Sequence, residues 1–91
     1  MRMRDVYASL RELVPTHLAQ RDGLRQEWTD RSDPIWRRGD RWVRVEAVTG
    51  TEVMLTAGHG DVTEAQTHHR LPTGIDAIAL EVAQQLDGAP A

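Results

Sequence analysis

The sequence predicts an α+β domain in which an N-terminal and a C-terminal helix flank a three-stranded antiparallel sheet. Three observations carry this expectation. Apolar residues recur at helical spacing near both ends, the run RWVRVEAV alternates with period two, and Thr49-Gly50 turns that run into a second alternating one. A chain of 91 residues holds one domain with a single modest core. Its segments read as a helical N-terminus over 1–23, an ordered linker over 24–40, a sheet over 41–71 and a helix over 73–87.

The first helix starts well at Asp5, a good N-cap. Val6, Leu10, Leu13 and His17 follow at spacings of four, three and four, and Tyr7, Val14 and Leu18 widen the apolar stripe. Pro15 removes a backbone donor and disfavours the α conformation at Val14. The helix is therefore expected to kink there, or to end near Val14 before a short second helix that runs to Arg21, with Gly23 as a stop. From Arg25 to Asp40 no period holds, and Trp28, Ile35 and Trp36 are the apolar residues. Asp33-Pro34 and Gly39-Asp40 supply turns, so the stretch reads as a linker pinned by its tryptophans. The triplet Arg38-Gly39-Asp40 needs no explanation beyond that turn.

The hairpin is the strongest local signal. Val43, Val45 and Ala47 alternate with Trp42, Arg44 and Glu46, and Val53, Leu55 and Ala57 alternate on the return. Gly58 to Asp61 forms the next loop. The segment VTEAQTHHRL fits two states. As a strand it puts Thr63, Ala65, Thr67, His69 and Leu71 on one side; as a helix it has Asp61 and Glu64 at capping-box spacing. The strand is favoured, because threonines suit strands and a lone hairpin is marginal in water. In the C-terminal helix Thr73 can cap, Ile75, Ile78, Ala79, Val82 and Leu86 form one face, and Gly88 and Pro90 end it.

The hairpin RWVRVEAVTGTEVML followed by THHRLPTG resembles small SH3-like barrel proteins of actinobacteria and their phages. In those, a V-x-V strand, a glycine turn and a V-x-L strand lead to a later strand ending in R-L. The resemblance covers about 35 residues of the 91. It implies a small binding domain from a mobile-element setting and assigns no catalytic residue.

Composition excludes several functions. There is no cysteine, which removes disulfides, thiolate catalysis and Cys-based zinc sites. Asp5, Arg11 and Glu12 interrupt the N-terminus, so it does not read as a signal peptide, and no run approaches the roughly 18 apolar residues of a membrane span. A soluble, cytoplasmic protein with no membrane partner is expected. All 11 basic residues are arginine, and lysine, asparagine and phenylalanine are absent. Those three share AT-rich codons, so a GC-rich bacterium or its phage is the expected source. Residues 1–45 carry ten arginines against seven acids, and residues 46–91 carry Arg70 against seven acids. The halves can attract each other within one chain or between copies, which leaves a homodimer open.

Two constellations carry chemistry. Arg31, Arg37, Arg38, Arg41 and Arg44 could neutralise phosphates while Trp36 or Trp42 stacks on bases. The plainer reading packs Trp36 over one end of the sheet and lays Trp42 across its outer face with the arginine stems alongside. Because Trp and Arg are also the commonest interface anchors, the same seven residues suit a protein partner. The second group is His59, Asp61, Glu64 and His68, with His69 adjacent. In a helix, Asp61, Glu64 and His68 would share a face and could hold a metal; in a strand the group disperses. Neither serine has a histidine and carboxylate nearby, and no phosphate-binding glycine motif occurs.

The expectation is a non-enzymatic interaction domain without cofactors. It would bind a protein partner, as a phage or mobile-element regulator, an inhibitor or an accessory subunit. A nucleic-acid module built on stretch 31–44 is the alternative, and a metal-dependent enzyme a weaker one.

Overall fold

The computed structural model describes residues 2–19, 21–71 and 74–87. Helix α1 (Met3–His17) is followed by strands β1 (Arg25–Trp28), β2 (Pro34–Arg38), β3 (Arg41–Thr49), β4 (Glu52–His59) and β5 (Val62–Arg70), then helix α2 (Ile75–Leu86). All neighbouring strands pair antiparallel in the order β1-β2-β3-β4-β5. The sheet therefore has five strands rather than three. The two additional strands occupy the stretch read as a linker, and the segment 62–70 is a strand.

Residues 25–38 hid their strands for a physical reason. β1 has four residues, and most of them are exposed. In β2, Pro34, Ile35 and Trp36 are buried in succession on both faces, so no alternation exists to be read. A tight turn at Gly39-Asp40, with Gly39 at φ +62°, joins β2 to β3. Between β1 and β2 the loop is tied by its own backbone. Thr29 N–H donates to Asp33 C=O at 2.8 Å, and Thr29 Oγ1 accepts from Asp33 N–H at 3.1 Å.

The register sorts side chains by face. Trp36 opposes Val43, Val43 opposes Ala57, Val45 opposes Leu55, and Ala57 opposes Ala65. Trp36, Val43, Val45, Val53, Leu55 and Ala57 are fully buried against Leu10 and Val14 of α1 and Ile78, Val82 and Leu86 of α2. Both helices thus cover one face. Trp36 is the largest buried side chain, and its Nε1–H donates to Gln26 Oε1 at 2.8 Å, so the indole enters the core with its polar atom satisfied.

Several end signals shift. α1 starts at Met3 with Arg2 as N-cap, so Asp5 lies inside the first turn, where it still favours the helix dipole. Pro15 sits inside the helix, which runs on to His17, and among the described residues no further helix lies between α1 and β1. Burial of Leu10, Val14 and Leu18 on one stripe outweighs the bond that proline removes. At the other end Gly74, at φ +89°, is the N-cap of α2; Thr73, Gly88 and Pro90 lie outside the described residues. His17 Nε2 meets Asp76 Oδ1 at 3.0 Å and links the end of α1 to the start of α2. Among the described residues no helix is long and apolar enough to cross a membrane.

Candidate functional site

The arginine-tryptophan stretch is divided by the pleat of the sheet. Trp36, Arg38 and Arg41 belong to the helix-covered side. Trp36 is 0% exposed, so it cannot stack on a base while the core is closed. Arg38 Nη2 donates to Leu86 C=O at 3.1 Å and to Asp87 Oδ1 at 2.6 Å. Arg41 Nε donates to Gln85 C=O at 2.7 Å, and its Nη2 lies 3.3 Å from Glu64 Oε1. The last carbonyls of a helix have no partner within it and carry partial negative charge. These two guanidiniums supply what the end of α2 lacks and fasten the helix to the sheet.

On the opposite face the remaining members gather. Trp42 packs against Gly58, its cross-strand neighbour, and its Nε1–H donates to Gly60 C=O at 3.0 Å. Only a glycine admits the ring this close. A Cβ at residue 58 would collide with Val62 C=O and come within 2.9 Å of Trp42 Cζ2. Beside the indole a shallow depression of about 290 Å³ is lined by Ile35, Arg37, Trp42, Arg44, Gly60 and Asp61. A second depression of about 290 Å³ is lined by Thr29, Asp30, Arg31, Asp33, Arg44 and Glu46. Arg44 is the wall common to both.

Charge on this face is balanced. Arg37 Nε donates to Glu27 Oε1 at 3.0 Å, and Arg44 Nη2 lies 3.6 Å from Glu46 Oε1. Acidic residues line both depressions. Among the described residues, the buried side-chain atoms Arg44 Nε and Thr56 Oγ1 have no hydrogen-bond partner, and the two residues face each other across β3 and β4. Leaving such atoms unpaired costs about 1–3 kcal/mol each.

At the edge of the turn region, Tyr7 donates its hydroxyl proton to Asp33 Oδ1 at 3.2 Å. Burial, reinforced by the Asp33 carboxylate, pushes the Tyr7 hydroxyl up to about 12. The shift reflects packing of α1 against the β1–β2 loop.

The histidine-acid group does not assemble. His59 Nε2 lies 3.8 Å from Glu64 Oε2, whereas His69 faces the helices and meets Glu81 Oε2 at 3.2 Å. His68 opposes Met54 on the other face, and Asp61 lines the depression beside Trp42. Among the described residues no three such side chains form a group able to hold a metal ion.

The sequence reading therefore named Arg31, Arg37, Trp42 and Arg44 on a common surface, and joined to them three residues that serve the core and the end of α2. It missed Ile35, Thr56, Gly58 and Asp61. Gly58 escaped local counting: from the Thr49–Glu52 pair a regular hairpin sets His59 opposite Trp42, and the register shift at Ala47/Thr49 puts Gly58 there instead. Ile35 was hidden with its strand. No protein family matches the chain, no curated protein matches it, and no solved structure matches its fold.

Proposed function

We propose that this chain is a non-enzymatic interaction domain that docks a protein partner on the open face of its sheet, around Trp42, Ile35 and Arg44, as a regulator or accessory subunit. The observation that carries the reading is the composition of that face. A tryptophan packed against Gly58 and a largely buried isoleucine adjoin an arginine that walls both depressions. Rigid aromatics beside arginine are the usual anchors of protein interfaces. Phosphate binding is favoured less, because Arg37 and Arg44 already face Glu27 and Glu46, and Asp30, Asp33 and Asp61 line the same depressions. A polyanion would meet acids there as often as free cations.

The test compares capture of proteins from a GC-rich bacterial lysate by the wild-type chain and by the Trp42→Ala and Arg44→Ala variants. Oligonucleotide titrations at about 50 and about 200 mM salt, followed by tryptophan fluorescence, run alongside. A captured protein retained by wild type and lost by both variants is the expected result. Equal capture by all three rejects the surface. Quenching by oligonucleotides that disappears at the higher salt replaces this reading with the nucleic-acid one.

A further inference from the structure

Given the open-face reading, on which this rests, we infer that an acidic side chain of the protein partner docks between Arg25 and Arg37, with an apolar neighbour of that residue seated beside Trp42. Arg25 of β1 stands directly opposite Arg37 of β2, and Arg37 stands opposite Trp42 of β3. With strands about 4.8 Å apart, two guanidiniums and an indole form one row across three strands. The row belongs to the open face. Gln26, the next residue along β1, turns inward to accept from the buried Trp36, and side chains alternate along a strand. Arg25 lay hidden in the unpatterned stretch, so the structure adds it to the candidate surface.

Like charges placed directly opposite each other on a ladder cost stability. The fold relieves this pair only in part. Arg37 donates through Nε to Glu27 Oε1 at 3.0 Å, so one carboxylate balances one of the two charges. Arg25 is exposed, and among the described residues its side chain has no hydrogen bond or ion pair. Arg38 and Arg41 differ, since both hold the end of α2. The row therefore keeps one positive charge that no described residue matches. A carboxylate is its natural complement, because the planar guanidinium pairs with both of its oxygens.

The apolar half of the site adjoins the pair. The indole packs over Gly58 of β4, and the depression beside it, about 290 Å³, has Ile35, Arg37 and Trp42 among its walls. A side chain seated there meets Ile35 and Trp42 while an adjacent carboxylate reaches the two guanidiniums. The surplus of a single charge selects the class of occupant. Glu27 flanks the pair, Asp61 lines the same depression, and Asp30, Asp33 and Glu46 line the next one. A nucleic-acid strand carries a phosphate at every nucleotide and would be repelled by these carboxylates. One acidic residue in an otherwise apolar protein segment would not.

Affinity selection from a random peptide library displayed on phage, with the full chain as bait, tests the inference. Wild type should retain peptides that carry Asp or Glu next to an aliphatic or aromatic residue. The double variant Arg25→Glu, Arg37→Glu should retain Lys or Arg at that place instead, and Trp42→Ala should retain neither. Against a synthetic peptide from the wild-type pool, Arg25→Ala should weaken binding about tenfold by fluorescence titration. Its Tm should not fall, because the fold loses no bond, and a clear fall would assign Arg25 to stability and overturn the inference. Peptides without acidic enrichment that bind the double variant but not Trp42→Ala overturn it too, and leave the open-face reading standing. Equal retention by wild type and all variants overturns both, and retention of no peptide by wild type overturns the acidic docking. Oligonucleotide binding that Arg25→Ala abolishes would name nucleic acid as the occupant. A wild-type mass that rises with concentration in sedimentation equilibrium, and stays single in the double variant, would name a second copy; either result overturns the inference.

Discussion

Replacing Arg41 with alanine separates a structural role from a binding one. Its Nε donates at 2.7 Å to Gln85 C=O, and its Nη2 lies 3.3 Å from Glu64. Hydrogen bonds to a charged group contribute about 1.5–3 kcal/mol, and the guanidinium also opposes the negative end of the α2 dipole. Its side chain is 26% exposed, so solvent replaces the lost bond only in part. A loss of about 2 kcal/mol is expected. At about 4–8 °C per kcal/mol for a domain of this size, Tm falls by about 10 °C. Arg38→Ala should act on the same helix end through Leu86 and Asp87. The double variant then loses less than the two single losses added, since both anchor one element. Differential scanning calorimetry measures the effect, with Arg37→Ala as the comparison that should stay within about 2 °C because its Glu27 pair is exposed. If Arg41→Ala leaves Tm unchanged, the helix-end argument is wrong and the side chain is available for a partner.

Trp36→Ala removes the largest buried side chain and should cost about 3–5 kcal/mol by urea denaturation, with Trp42→Ala well below it; equal losses would contradict the division of the two rings between core and surface. Gly58→Ala should destabilise by about 1–3 kcal/mol, because the added methyl meets Val62 C=O and the Trp42 ring. A variant as stable as wild type in the same assay would refute the close packing of Val62 C=O and the Trp42 ring on Gly58. The chain has one tyrosine, so its absorbance titration reads Tyr7 directly. Ionisation should centre at about 12 in the folded protein, against 10.0 for the free group. Between those values the unfolded chain has released the proton and the folded chain retains it, so stability falls as pH rises through this window. Ionisation near 10 with the fold intact would remove the argument.

How much of this was legible depended on what each segment encodes locally. Val43, Val45, Val53, Leu55 and Ala57 lie on a sheet covered on one side, so burial wrote itself into the sequence as alternation. The stripes Val6-Leu10-Val14 and Ile78-Val82-Leu86 recorded the two helices in the same way. β2 left no such trace, because Ile35 is covered by outer-face neighbours while Trp36 fills the core behind it. β1 was silent because an edge strand of four residues needs no apolar pattern of its own.

The sequence by itself determined the class of the domain, its terminal helices, its central hairpin and the residue types available for binding, since these follow from periodicity and composition. Only the tertiary structure decided what each arginine and tryptophan does. Alternate residues of a strand point to opposite sides, so neighbours in sequence parted company: Trp36 into the core, Arg38 and Arg41 to the end of α2, Arg37, Trp42 and Arg44 to the open face. That assignment needed the register of five strands and the position of α2. Both are set by contacts between residues far apart in the chain, which no local pattern records.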